Sequence, residues 1–301
     1  MPTVRQSLVA TLLHRYPFFS GCGTVANHKI TQRLAGPSIE QAWTSVPGGK
    51  ILVSLGDYVG RAAYYAGELD RKITWICQRL VRPGDTVLDI GANIGLVTLW
   101  MSSLVGESGR VHAFEPNPIL QEMLEKTFHR NGCSNVQLHR MALGSEEGTL
   151  DLWIPQNNAG AGSLILNREV EDCHVVPVPV HTLSSVLGQE RIDSVRLIKI
   201  DAEGFEEEVL RGALDFLETV RPEAILFEHS EQTEGPVSSQ PVISLLRDLE
   251  YDFFSIPKFM FRMRLHRFDP DSAEEITGHD LLAAPKGDCY ESMATLLRAR
   301  K

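Results

Sequence analysis

From Asp85 onward, short apolar runs alternate with longer stretches whose apolar residues recur at helical spacing. Thr86–Ile90, Arg110–Phe114, Val136–Arg140, Leu197–Ile200, Ala224–Glu228 and Tyr251–Ile256 read as strands, with Leu281–Ala284 as a late seventh. Between them Gly95–Leu104, Ile119–Asn131, Phe205–Arg211 and Val242–Leu249 read as helices. Strands linked through helices cross over and lie parallel, because a parallel connection needs roughly a dozen residues. The pattern therefore predicts an α/β fold with a mostly parallel sheet covered on both faces. Ligands of such sheets bind beyond the carboxyl ends of the strands, so the loops at that edge are the ones to read for chemistry.

Two regions depart from the alternation. Residues 1–80 are expected to form an N-terminal extension, with residues 81–301 as the catalytic domain. The extension reads as a helix (Val4–Tyr16), a Gly-, Pro- and Ser-rich loop, a hairpin pairing Lys50–Leu55 with Asp57–Ala62 about Gly56, and an amphipathic helix Asp70–Leu80. Between Ala142 and Ile192 the strand–helix rhythm lapses, and that segment is expected to elaborate the edge over the strand ends.

Charge and cysteines narrow the function. The chain of 301 residues carries 29 Lys and Arg against 39 Asp and Glu, a formal net charge of −10. That balance opposes non-specific binding to nucleic acid or to an anionic membrane, although local basic patches remain compatible with it. Before the first acid, Glu40, stand only Arg5, Arg15, Lys29 and Arg33. Five scattered cysteines without a Cys-x-x-Cys pair fit neither a disulfide scaffold nor a zinc site, which suggests a reducing, cytoplasmic setting. No apolar run approaches the roughly 18 residues of a membrane span.

The first edge loop is VLDIGANIG at 87–95, where Asp89 ends a strand and Gly91, Ala92, Asn93 and Gly95 turn into a helix. Glycine permits positive φ and close backbone approach, and a helix N-terminus favours anions. The turn lacks the G-x-G-x-x-G spacing of a dinucleotide site, and Asp89 is expected to face a cationic amine. The second loop places Glu115 after Phe114, followed by Pro116 and Asn117. A carboxylate there can accept hydrogen bonds from ribose hydroxyls, though the same residues also make a helix cap. Met141–Gly144 follows the third strand and suits a base pocket lined by small apolar groups.

The fourth loop, IKIDAEGFE at 198–206, is the most charged. Strand alternation puts Lys199 and Asp201 on one face, where they are costly unless paired. Glu203 and Glu206 follow at once. The fifth strand ends at Glu228 and His229, and His229 is a further candidate base. No metal site is assigned, since the other histidines show no ligand spacing and nothing fixes a cation on Asp201, Glu203 and Glu228. Lys258–Arg267 alternates as a half-exposed strand, read either as a charged edge or as a wall selecting an anionic or sugar substrate.

Together VLDIGANIG, FEP at 114–116, MALG at 141–144, KIDAEGFE at 199–206 and RPEAILFE at 221–228 resemble the FkbM family of S-adenosylmethionine-dependent methyltransferases, over roughly residues 64–285. The resemblance implies a seven-stranded Rossmann-like sheet with an antiparallel last strand. It also implies O-methylation of a hydroxyl on a sugar, glycan, macrolide or other natural product. It puts Asp89, Gly91, Asn93 and Gly95 around the methionine moiety and Glu115 at the ribose, with Ala92, Pro116 and Asn117 as further cofactor-binding residues. Ala142 meets the adenine, and Asp201 and Glu203 lie near the methyl and its acceptor. The family's Thr-Leu-Asp before the fourth strand is replaced here by Thr182-Leu183-Ser184. Asp201 is the first candidate base, Glu203 the second and His229 the third. Partners expected are a small-molecule or glycan acceptor, with homo-oligomerisation open. The competing readings are a non-catalytic cofactor-binding relative and a nicotinamide-dependent oxidoreductase.

Overall fold

The computed structural model describes residues 2–36, 41–156, 158–165, 172–188, 192–229, 237–257, 259–261, 263, 265–272 and 279–298. The chain begins with helices α1 (Val4–Leu13), α2 (Cys22–Asn27) and α3 (Lys29–Ala35), then a hairpin of β1 (Ala42–Val46) and β2 (Gly49–Val53). Helices α4 (Tyr58–Ala66) and α5 (Arg71–Leu80) lead into the alternating part. There β3 (Thr86–Ile90), α6 (Leu96–Val105), β4 (Arg110–Phe114), α7 (Pro118–Asn131) and β5 (Val136–His139) follow one another. Next come β6 (Ala142–Leu143), β7 (Gly148–Pro155), β8 (Cys173–His181) and α8 (Leu183–Leu187). The chain closes with β9 (Leu197–Ile200), α9 (Glu206–Arg211), α10 (Leu214–Val220), β10 (Ile225–Glu228), α11 (Pro241–Asp248), β11 (Tyr251–Ser255), β12 (His266–Phe268), β13 (Asp280–Pro285) and α12 (Asp288–Arg298).

The main sheet has the order β12-β11-β13-β10-β9-β3-β4-β5. Strands β10, β9, β3, β4 and β5 pair in parallel, and β13 inserts antiparallel between β10 and β11. This is the expected sheet with an antiparallel last strand, extended at one edge by β12. Residue parity divides its core. Leu88, Ile90, Ile198 and Ile200 face the layer of α8–α11, whereas Val87, Leu197 and Leu226 face α5, α6 and α12. Each such fully buried aliphatic side chain contributes about 1.5–3 kcal/mol. The chain reverses its direction of travel across the sheet between β3 and β9, and a crevice opens there.

Two expectations change. The hairpin forms one strand earlier, about Pro47 and Gly48, with Ala42 opposite Val53. Asp57 caps α4 instead of entering a strand, because its carboxylate accepts the Val59 and Gly60 N–H groups at 2.8 and 3.3 Å. Ala62–Ala66 are buried without interruption, which a half-exposed strand cannot achieve. Of Lys258–Arg267 only its end enters a strand, β12, while Lys258, Arg262 and Arg264 lie outside the described residues. The lapse in rhythm after Ala142 is a separate three-stranded sheet, β6-β8-β7. The N-terminal elements share a core with α6 and α7 through Ile51, Val53, Leu99 and Met123.

Candidate active site at the carboxyl edge

Gly91 begins the crevice. Its φ is +76°, and a Cβ there would overlap the carbonyl oxygen of Asp201. The turns after β3 and β9 therefore touch only because residue 91 has no side chain. The Asp201 N–H donates to Ile90 O at 3.1 Å and closes the contact. Gly95 does a different job from the one expected. It caps α6 at φ +90°, a Cβ would come within 2.6 Å of Leu124, and it lines neither cavity at the edge.

Asp89 is likewise displaced from its expected role. It is fully buried beneath the turn and does not face the crevice. The Thr98 hydroxyl donates to its Oδ2 at 2.5 Å, and Lys199 Nζ stands 3.4 Å from its Oδ1. Burial pushes the Asp89 carboxyl up, with the Lys199 charge opposing. The same ammonium lies 3.2 Å from Asp201 Oδ2 and donates to Gly91 O at 2.9 Å. Burial works against the Lys199 charge, but Asp201 and Asp89 outweigh it and hold the ammonium above its usual range. Lys199 thus ties the floor, the glycine turn and the acidic loop together.

Glu115 occupies the next loop. Its Oε2 accepts the Asn93 N–H at 2.7 Å and its Oε1 accepts the Asn117 N–H at 2.9 Å. Burial raises it to about 7, against those two hydrogen bonds. Beside it a narrow pocket is walled by Ile90, Phe114, Leu120, Leu143 and Leu152, with Pro116, Asn117 and Ala142 on its lining. The short helical turn Ala159–Ala161 covers this pocket. Asn93 Nδ2 donates to Gly160 O at 2.8 Å, Asn117 Nδ2 donates to Ala159 O at 2.9 Å, and the Gly160 N–H donates to Asp57 Oδ2 at 3.1 Å. Sequence reasoning missed Asp57, whose signal was its helix-cap position. Its partner lies 103 residues away, beyond the reach of any local pattern.

A second, wider cleft of about 490 Å³ adjoins the pocket. Its walls include Gly23 and Thr24 of α2, Tyr58, Glu68, Asp70, Lys72, Glu228 and Asp280. Lys72 is buried between Asp70 at 3.1 Å and Asp280 at 2.6 Å. Gly91, Asn93, Gly160, Asp201 and Glu203 line both spaces, and of these only Asp201 and Glu203 ionise. Partial desolvation, then repulsion from Asp201 and Glu206, raises Glu203 to about 7, with Lys199 opposing. Glu203 also holds a φ of +52°, unusual for a non-glycine residue. Glu228 is raised to about 7 by partial desolvation and by Asp201 and Asp280. His229 departs from expectation: it is buried outside the lining of the cleft, and its N–H donates to His279 O at 2.5 Å.

Residues 89–253, more than half of the chain, match the model of the methyltransferase FkbM domain. The chain is similar to Methyltransferase 1 of Beauveria bassiana, with 31% identity over 44% of this chain and 60% of that protein. It thus spans less than two thirds of that relative's length. Methyltransferase sdnD of Sordaria araneosa is 31% identical over 55% of this chain and 73% of its own length. The 31-O-demethyl-FK506 methyltransferase FkbM of Streptomyces tacrolimicus is 30% identical over 45% of this chain and 62% of its own length. The protein belongs to the FkbM methyltransferase domain family, whose cofactor is S-adenosyl-L-methionine.

Proposed function

We propose that this protein transfers a methyl group from S-adenosyl-L-methionine to a hydroxyl oxygen of a sugar, glycan or other hydroxylated natural product. The observation that carries this reading is the junction of the two cavities, where Asp201 and Glu203 are, among the described residues, the only ionisable groups shared by both linings. A group passed from a cofactor to an acceptor must cross such a junction. The oxygen acceptor is further supported by the name of the Streptomyces relative.

The pocket suits the cofactor. The apolar slot walled by Phe114, Leu143 and Leu152 takes a flat base, and Ala142 leaves it room. The Glu115 carboxylate has lone pairs left for two vicinal hydroxyls after accepting its two backbone N–H groups. Gly91, Ala92 and Asn93 border the route toward the junction. When bound, S-adenosyl-L-methionine supplies a methyl on a sulfonium, already activated for displacement. The protein's task is to align the acceptor oxygen, to within about 3 Å of the reacting atom, and to take its proton.

The two acids differ in their partners. Asp201 is paired with Lys199 at 3.2 Å, and in this reading it orients the acceptor hydroxyl. Glu203 is less tightly partnered, and its raised pKa makes it the better proton acceptor near neutral pH. The cleft adds Glu68, Asp70, Glu228 and Asp280 against two lysines that are already paired. A neutral or cationic polyol therefore fits better than a phosphorylated or carboxylated one. An oxidoreductase reading is disfavoured by the Gly91–Gly95 spacing, which leaves no dinucleotide fingerprint.

Incubation with the cofactor and a panel of neutral, amino and acidic polyols, followed by mass spectrometry, tests the reading. The expected product is heavier by one methylene and, as an ether, withstands mild base that would cleave a methyl ester. Cofactor binding without turnover on any hydroxylated acceptor would support the non-catalytic alternative.

A further inference from the structure

The acidic whole conceals a cationic layer. Arg5, Arg15, Lys29 and Arg33 precede the first acid, and every Asp and Glu lies from position 40 onward. All four cations are exposed, and none is paired with a carboxylate among the described residues. Interleaved with them is an apolar surface left exposed among the described residues. Val4, Leu8 and Leu12 follow at i, i+4 and i+8 on α1, and Ile30 and Leu34 at i and i+4 on α3, so each set shares one helix face. These five side chains are 60–77% exposed, and α1 and α3 pack against each other. Inward, the same helices bury Gln6, Thr31 and Ala35.

We propose that α1 and α3 form a docking surface for an anionic lipid membrane. Aliphatic side chains projecting among unpaired Arg and Lys are what an interfacial helix uses, burying the former among acyl chains and pairing the latter with headgroups. The surface docks and does not span, since no helix among the described residues is long and apolar enough to cross a bilayer. A second copy of the chain is a poorer occupant, because a two-fold contact would set four unpaired cations against four more. A protein partner is poorer too, because the patch lacks the Trp and Tyr anchors that carry protein interfaces. Helix α2, packed on α3, gives Gly23 and Thr24 to the cleft wall, so docking brings that wall to the lipid surface.

Co-sedimentation of the full chain with vesicles of phosphatidylcholine, alone or mixed with phosphatidylglycerol, tests this. Binding to the mixed vesicles is expected, weakening with salt. At about fivefold per cation, Arg5→Gln with Arg33→Gln weakens it roughly 25-fold. Leu8→Ser with Leu12→Ser removes it, while cofactor binding by both variants stays unchanged and reports an intact fold. Absence of vesicle binding overturns the proposal, as does equal binding to neutral vesicles. Self-association abolished by the Leu8 and Leu12 changes would assign the surface to a second copy instead. Retention on immobilised polyglutamate without vesicle binding would assign it to an acidic protein.

Discussion

In the proposed cofactor pocket, Glu115 reaches back 22 residues to Asn93 and forward two to Asn117. In the proposed acceptor cleft, Lys72 meets Asp280 across 208 residues. The first side is built from consecutive strand–turn–helix units, each of which fixes its own loop. The second exists only once the N-terminal layer, the β6-β8-β7 sheet and the last strands have come together. Local chemistry is thus concentrated in the proposed cofactor pocket, and long-range packing in the proposed acceptor cleft. Substitutions on the two sides should fail in different ways.

The largest effect is expected from Gly91→Val. The new Cβ overlaps the Asp201 carbonyl, and valine at φ +76° is strained. Cofactor binding, followed by calorimetry, should vanish, with a stability loss of about 3 kcal/mol from overpacking and left-handed strain. Next, Glu203→Gln should cut turnover by about 10²–10⁴-fold while cofactor affinity holds. The wild-type rate should rise with pH through about 7, and the variant should lose that limb. A variant with unchanged turnover would return the proton to Asp201.

Glu115→Gln should weaken cofactor binding by about 10–100-fold, from loss of charged hydrogen bonds, without changing the acceptor KM. It also carries a pH signature. Burial raises Glu115 from the ordinary 4.5 to about 7, so the fold disfavours its ionised form. Its stabilising contribution is complete below about pH 4.5 and is lost as pH rises through 7, at a cost of about 3 kcal/mol. Over that window the melting temperature of the cofactor-free variant should fall less than that of wild type. The smallest effect is expected from Asp57→Asn, which weakens one of three hydrogen bonds on the covering turn. Cofactor release, measured by stopped flow, should quicken by about tenfold.

The same contrast explains what the sequence disclosed. Strands β3, β4, β5, β9, β10, β11 and β13 were legible because burial on both faces leaves uninterrupted apolar runs between helical periods. The pairing of Lys199 was legible because a buried ammonium in a strand requires a carboxylate. That its second carboxylate, Asp89, is sealed by Thr98 was not legible, because a strand-end acid looks the same whether it faces out or is buried. Gly95 was misread for a similar reason, since helix packing against Leu124 and ligand approach both demand glycine. His229 had no partner in the sequence that could place it inside or outside the cleft. Asp57 was assigned to a strand because Gly56 reads as a hairpin turn, while the cap that decides its conformation lies in a side-chain hydrogen bond.

The central claim is that the Gly91 turn and Glu115 form a cofactor pocket opening at Asp201 and Glu203. Calorimetric titration with S-adenosyl-L-methionine, its demethylated product and NAD tests it most directly. Saturable binding of both sulfur nucleosides, no binding of NAD, and loss of all binding in Gly91→Val are the predicted result. At about 100 times the dissociation constant either nucleoside should also stabilise the fold by about 2.7 kcal/mol. Binding of NAD, or nucleoside binding that persists unchanged in Gly91→Val, would contradict the account.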